Sequence, residues 1–190
     1  IVFAILQRLG ANQLASALGA GLFLVHPLQT EAVAYIASRS DGMSTFFCYA
    51  AFLLFLRARE SGVTWSNAGQ ILALFICGLL SKEQSAVLPA AFLAADFLLE
   101  GPAAIRRNLR LHGPVLAGGV LGMGYVAWRL SESDTAGFGM KEFGPLEYFY
   151  TQCRVFWHYA KLLVLPLGLN ADTEFTVSRG LADHGSGIAL

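Results

Sequence analysis

The sequence predicts an all-α polytopic membrane protein, a bundle of about six transmembrane helices with interfacial helices on the extracytoplasmic side. Of its 190 residues, 55% are hydrophobic and only 14% are charged, and the mean hydropathy is +0.55. Most apolar runs also continue around every helical face, which is typical of helices surrounded by lipid or by other helices. The net charge is zero and no nucleic-acid-binding motif is present, so nucleic acid is not expected as a partner.

The apolar runs define the predicted helices in chain order. They are separated by polar or charged stretches and cover 1–9, 14–25, 43–56, 68–80, 85–99 and 112–130. Several are shorter than the roughly 20 residues that a bilayer crossing needs, so we expect their polar ends to extend the helices.

The domain organisation follows from these runs. Residues 1–130 are expected to hold the transmembrane helices and a polar extracytoplasmic segment, 26–41, and residues 131–190 an extracytoplasmic loop and an amphipathic helix. The chain begins inside an apolar run without an initiator Met, so we expect 1–190 to be a fragment of one transmembrane domain.

The basic residues predict the orientation, because cytoplasmic loops are rich in Lys and Arg. This rule assigns Arg8, the turn at 57–67 and the loop at 106–110 to the cytoplasm, with the 57–67 turn in water. Segment 26–41, the SKEQ turn at 81–84 and the loop after Arg129 then share the opposite side. Polar sequences that are distant in the chain are therefore expected to converge on one face.

Segment 26–41, HPLQTEAVAYIASRSD, is the first candidate site. Pro27 suits the first turn of a short surface helix, and spacing by four aligns Glu31, Tyr35 and Arg39 on one face. One interpretation is an interfacial helix whose charges complement its dipole. The other is that Glu31, Arg39 and Asp41 orient a hydroxyl or an anionic donor.

The SKEQ turn is the second candidate. Lys82 and Glu83 lie between two apolar helices, where an ion pair beside hydrocarbon is costly unless other groups satisfy it. Lys82 is suited to neutralising a phosphate leaving group, with Glu83 fixing its position. The alternative is a pair of snorkelling side chains that close a helical hairpin.

The predicted helix at 146–165 is the third candidate, because its polar residues form one stripe. A helix of this kind usually lies on a membrane surface, with its cations facing lipid phosphates. Alternatively, the same basic face binds the phosphate of a lipid carrier. The stripe consists of Glu147, Thr151, Arg154, His158 and Lys161.

No metal site is predicted. No second histidine lies at ligand spacing from His26, which is equally suited to capping or packing before Pro27. The three cysteines lack the spacing of a zinc site or a disulfide framework.

Three segments together carry a family resemblance. HPLQTEAVAYIASRSD, LLSKEQSAVLP and YTQCRVFWHYAKLLVLPLGLNADTEF, in this order and spacing, resemble the transmembrane and tetratricopeptide-repeat O-mannosyltransferase family, its bacterial members above all. The resemblance implies a GT-C type glycosyltransferase fold, location in the bacterial inner membrane and a site on the extracytoplasmic side. It also implies a downstream repeat domain, and an acidic catalytic motif upstream of Ile1.

The implied activity is transfer of mannose or a similar hexose from a polyprenyl-phosphate donor to a protein hydroxyl. Membrane lipid, the lipid-linked donor and an acceptor protein are the implied partners, and no cofactor beyond the donor is expected. Glu31 and Asp41 are the catalytic candidates. The candidates for binding the donor phosphate or shaping the site are His26, Thr30, Arg39, Lys82, Glu83, Arg154 and His158.

Two other functions fit the same residues. The chain could be a non-catalytic membrane anchor for a repeat domain, in which the polar segments serve topology and packing. It could also be a transporter in which Glu31, Asp41 and the Lys82/Glu83 pair form an ion site.

Overall fold

A computed structural model describes residues 1–27, 29, 38–132, 145–167 and 176–178 of the chain. All regular secondary structure in these ranges is helical. Short 3-10 helices lie at Arg59–Ser61 and at Glu83–Val87. The α-helices are α1 (Val2–Arg8), α2 (Gln13–Val25), α3 (Arg39–Ala58), α4 (Trp65–Ser81), α5 (Leu88–Glu100), α6 (Pro102–Arg107), α7 (Leu109–Glu132) and α8 (Pro145–Val164).

The prediction of a bundle of about six transmembrane helices is wrong, and the GT-C-like arrangement based on it is not supported. Within the described ranges, no helix combines the length and the apolar character that a membrane crossing requires. The longer helices incorporate charges, as α3 does at Arg39, Asp41 and Arg57. The more apolar α2 has only 13 residues and ends before Pro27. Despite the high mean hydropathy, the apolar residues of the described ranges do not form a continuous membrane-spanning helix.

The chain divides into two compact units, Ile1–Gly122 and Met123–Leu190. In the first unit α3 and α4 form a hairpin, α5 packs on α3, and α1 contacts both α2 and α3. Large buried side chains fill the space between these helices, and the rings of Phe55 and Phe92 lie with centroids 4.8 Å apart. Burial of each such side chain contributes about 1.5–3 kcal/mol, so this core is the main stabilising element of the unit.

Local capping explains where these helices begin. Asn12 accepts a hydrogen bond from the backbone N–H of Ala15 at 2.8 Å, which starts α2. Thr64 accepts from the N–H of Asn67 at 3.2 Å, which starts α4 directly after the α3–α4 connection. Each cap satisfies a donor that the first helical turn leaves without a partner.

The second unit contains α8, which extends close to the predicted bounds of 146–165. Apolar side chains spaced by seven residues are exposed along one side, including Phe149, Phe156 and Leu163. Residues 176–178 pack against the polar side, where the N–H of Ser178 donates to Thr151 Oγ1 at 3.0 Å. The structure therefore retains the amphipathic pattern that the sequence predicts for this helix.

Candidate functional site

An ion pair between Lys82 and Asp41 lies at one end of the α3–α4 hairpin. Asp41 belongs to the first turn of α3, and Lys82 is the residue directly after α4. The ammonium group of Lys82 contacts Oδ1 of Asp41. The side chains are 29% and 26% exposed, respectively, so the pair is accessible to solvent and to ligands. Folding thus joins one residue from each of the first two candidate segments.

The backbone of Lys82 is held on both sides. Its N–H donates to the carbonyl of Gly78 at 2.9 Å, and its own carbonyl accepts from the N–H of Ser85 at 3.2 Å. Lys82 lies at the negative end of α4 and Asp41 at the positive end of α3, so each charge also interacts favourably with its helix dipole. The base of each side chain is therefore fixed, while the four-carbon chain of Lys82 remains flexible.

A pair of buried hydroxyl groups lies in the segments that carry the ion pair. The Oγ atoms of Ser44 and Ser85 are 2.7 Å apart. Ser44 follows Asp41 by one helical turn, and Ser85 follows Lys82 within the 3-10 helix. Gly78 makes room for this contact, because a Cβ atom there would lie only 2.9 Å from Ser85 Oγ. The hydroxyl pair thus links the start of α3 to the turn after α4.

The other candidates from segments 26–41 and 81–84 have different surroundings. Arg39 is exposed at the first residue of α3, and His26 is half-buried directly after α2. Glu83 is exposed and, in the part of the chain that the structure describes, it pairs with no cation. The partner of Lys82 is therefore Asp41 and not the neighbouring Glu83. Thr30 and Glu31 lie outside the described residues.

Arg154 and His158 belong to α8 in the second unit, where both are half-buried. Arg154 Nη1 donates to the carbonyl of Thr176 at 3.0 Å and to Ser178 Oγ at 2.8 Å. These contacts orient the guanidinium group toward residues 176–178. Arg154 thus has a structural role within its unit that the sequence did not suggest.

A second polar cluster surrounds Asp96 at the other end of the hairpin. Its member Arg59 directly follows α3 and lies roughly 27 Å from Asp41 along the axis of that helix. Arg59 Nε donates to Oδ1 of Asp96 at 2.8 Å. Oδ2 accepts from Asn108 Nδ2 at 2.9 Å and lies 2.8 Å from His112 Nε2. All four side chains are buried, so no solvent reaches the carboxylate.

Electrostatics keep the Asp96 carboxylate charged. Burial alone raises its pKa, but the hydrogen bonds from Arg59, His112 and Asn108 outweigh that effect and hold the pKa below its usual value. The carboxylate is therefore ionised at neutral pH and acts only as an acceptor.

Further contacts extend the cluster to neighbouring elements. Arg59 Nη2 lies 3.2 Å from Glu100 Oε1, and Arg107, which also pairs with Glu100, donates to the carbonyl of Arg59 at 2.9 Å. Asn108 Oδ1 accepts from the N–H of Val63 at 3.0 Å. The cluster thus ties the turn after α3 to α5, α6 and α7.

The prediction that the turn at 57–67 lies entirely in water is wrong for Arg59, which is 5% exposed. The cluster is inaccessible to a substrate, so it stabilises the fold and is not a reaction site. The sequence does contain an indication of the Asp96 cluster, because Asp96 is the only charged residue in the run LPAAFLAADFLL. A carboxylate in such a run requires a buried cationic partner.

The chemistry of these clusters does not suggest a metal. Across the described ranges, no group of three or more His, Cys, Asp and Glu side chains is arranged to bind a metal ion. The accessible pair offers one ammonium and one carboxylate, a combination that can bind an anion and accept a proton.

Comparisons with known proteins identify the family. A protein O-mannosyl-transferase of Caenorhabditis elegans is 32% identical over 157 residues, which cover 80% of this chain and 21% of the relative. Human protein O-mannosyl-transferase TMTC4 is 30% identical over 159 residues, 70% of this chain and 22% of the relative. Protein O-mannosyl-transferase Tmtc2 of Drosophila melanogaster is 39% identical over 93 residues, 44% of this chain and 10% of the relative. No family model matches the sequence, and no solved structure matches it significantly.

The chain belongs to the transmembrane and tetratricopeptide-repeat O-mannosyltransferase family, which confirms the resemblance found in its sequence. It spans about a fifth of the length of the nematode relative and of human TMTC4.

Proposed function

We propose that this chain is part of a glycosyltransferase that moves mannose or a similar hexose from a polyprenyl-phosphate donor to a hydroxyl group of an acceptor protein. The names of the relatives support transfer of mannose to protein. The observation that carries the proposal for this chain is the accessible Asp41–Lys82 pair, which combines a proton acceptor with a cation for phosphate. The proposed site faces the extracytoplasmic side of a membrane.

The pair suits the bond changes of the transfer. A carboxylate, from Asp41 or Glu31, accepts the proton of the acceptor hydroxyl while that oxygen attacks the anomeric carbon. The bond between the anomeric carbon and the phosphate oxygen breaks, and the electron pair leaves with the lipid phosphate. Lys82 stabilises the negative charge on the departing phosphate.

The second unit offers a surface for the membrane partner. Phe156 and Leu163 on α8 are 69% and 62% exposed, and His158 and Lys161 lie on the opposite side of the same helix. Helices with this distribution lie along a lipid surface, with the apolar side toward acyl chains and the cations toward phosphates. This pattern supports the proposal that membrane lipid is a partner.

The proposal is tested with Lys82→Ala and Glu31→Ala in the full-length protein. Both are expected to abolish transfer of labelled mannose to the acceptor without lowering the amount of protein in the membrane fraction. Arg8→Ala is a matched control, because Arg8 forms an accessible ion pair with Glu60 at the other end of the hairpin and should retain transfer. If both test variants transfer mannose normally, those residues have no such role, and an anchoring function becomes the better explanation.

A further inference from the structure

We propose that the Asp41–Lys82 ion pair is the resting form of the site, and that the donor phosphate replaces the Asp41 carboxylate as the partner of Lys82. The exchange frees the carboxylate to receive the acceptor hydroxyl. This inference rests on the proposed function and adds an order to it, in which the donor binds before the acceptor is activated.

The contact itself is the first reason. In the structure the ammonium group of Lys82 is bound to Oδ1 of Asp41. While the contact persists, one acceptor position of that oxygen is occupied, and the ammonium group compensates the negative charge of the carboxylate. The ammonium group is likewise engaged before any phosphate arrives. Both groups are therefore more available for their proposed roles once the contact opens.

The exposure of the pair makes the exchange feasible. Ion pairs that water reaches contribute little net stability, because solvent screens both charges. Like a carboxylate, a phosphate offers charged acceptor oxygens, so it can compete for an ammonium group. The Asp41–Lys82 pair, with about a quarter of each side chain exposed, is open to such competition. The Asp96–Arg59 pair is not, since both its side chains are buried.

The surrounding backbone allows the side chains to separate without unfolding the site. Hydrogen bonds to Gly78 and from Ser85 fix the backbone of Lys82, and the Ser44–Ser85 hydroxyl contact joins the two segments independently of the charges. Opening the ion pair therefore requires only rotation of the Lys82 and Asp41 side chains. The positions from which they act are retained.

The test measures binding of sugar-free undecaprenyl phosphate to the full-length protein in detergent micelles. Asp41→Asn is expected to tighten binding by about two- to fivefold, because the phosphate no longer competes with a carboxylate. The same variant is expected to transfer less mannose than wild type. Lys82→Gln is expected to weaken binding.

Two further variants separate exchange from simple removal of negative charge. Glu60→Gln removes an exposed carboxylate at the other end of the hairpin, so affinity should change less than twofold. Adding Asp41→Asn to Lys82→Gln should not tighten binding relative to Lys82→Gln alone, because no ammonium group remains to be released from the carboxylate. Thermal unfolding of each variant checks whether the fold is retained.

A measurement on the wild-type protein does not depend on substitutions. A water-soluble carbodiimide joins a carboxylate to an amine in contact with it, so peptide mass spectrometry should detect a direct Asp41–Lys82 link. Undecaprenyl phosphate should suppress that link. Retention of the link at saturating lipid would overturn the exchange.

The outcomes distinguish the two proposals. If Lys82→Gln weakens binding but Asp41→Asn does not tighten it, or the tightening persists in the double variant, the exchange is wrong and the donor role of Lys82 stands. If Lys82→Gln binds the lipid phosphate as wild type does, the proposed function of this site fails, and the exchange fails with it.

Discussion

Replacing Asp96 with Asn is the sharpest test of how the first unit is held together. The carboxylate uses both oxygens as acceptors, for Arg59 on one side and for Asn108 and His112 on the other. An Asn side chain has one acceptor oxygen, and its NH2 group would point at a donor. The variant keeps the shape of the residue but leaves Arg59 buried without its main counter-charge.

The expected cost follows from the burial of the pair. Removing one partner of a buried ion pair destabilises a protein by about 3–5 kcal/mol. Glu100 remains 3.2 Å from Arg59 Nη2 and offsets part of this loss, so we expect about 3 kcal/mol. In a chain of this size, a loss of 1 kcal/mol in the free energy of unfolding lowers the midpoint of thermal unfolding by about 2–4 °C. The midpoint of the variant should therefore fall by roughly 6–12 °C.

The assay is thermal unfolding of the purified protein, followed by far-ultraviolet circular dichroism. Glu60→Gln serves as the matched control, because it breaks the exposed Arg8–Glu60 pair and should cost less than about 1 kcal/mol. If Asp96→Asn shifts the midpoint no more than Glu60→Gln does, the cluster does not hold the unit together and the reasoning fails.

Two other predictions concern the same unit. Gly78→Ala should destabilise the protein by about 1 kcal/mol, because the new methyl group displaces Ser85 Oγ from its contact with Ser44, and this loss exceeds the gain in helix propensity. Gly69→Ala in the same helix has open space around the new methyl group, so it should be neutral or stabilising by up to about 1 kcal/mol in urea unfolding; the reverse order would contradict the packing argument. Folding lowers the pKa of Asp96, so its ionised carboxylate stabilises the folded state. This contribution to the free energy of unfolding is complete above the unfolded pKa of about 3.9 and is lost as the pH falls through the folded pKa. The stability difference between wild type and Asp96→Asn should therefore shrink in acid, and a constant difference across that range would disprove the assignment.

The sequence singled out both residues of the Asp41–Lys82 pair, because position along the chain carries chemical information. Asp41 and Lys82 were singled out as charges at the edges of apolar runs, and the structure places them at helix ends. Adjacency in sequence favoured Glu83 as the partner of Lys82. The actual partner is Asp41, because the packing of α3 against α4 determines which distant carboxylate the ammonium group reaches.

The error in the fold prediction has a related cause. Several apolar runs are shorter than a bilayer crossing, and the polar residues that extend them bring charge into the helix, as Arg39 and Asp41 do in α3. The chain breaks its apolar runs with glycine, proline and buried charge, as at Gly101, where φ is 83° between α5 and α6. The result is a set of helices within the described ranges that do not meet the requirements of a membrane span.

The amino-acid sequence by itself determined the helical character of the chain, its family and the residues at which charge interrupts apolar runs. These properties depend on neighbouring residues and on patterns that survive without any fold. Only the tertiary structure decided that Arg59 is buried against Asp96 and that Lys82 contacts Asp41. Partner choice and burial arise when helices pack, because packing sets the distances between residues that are far apart in the chain.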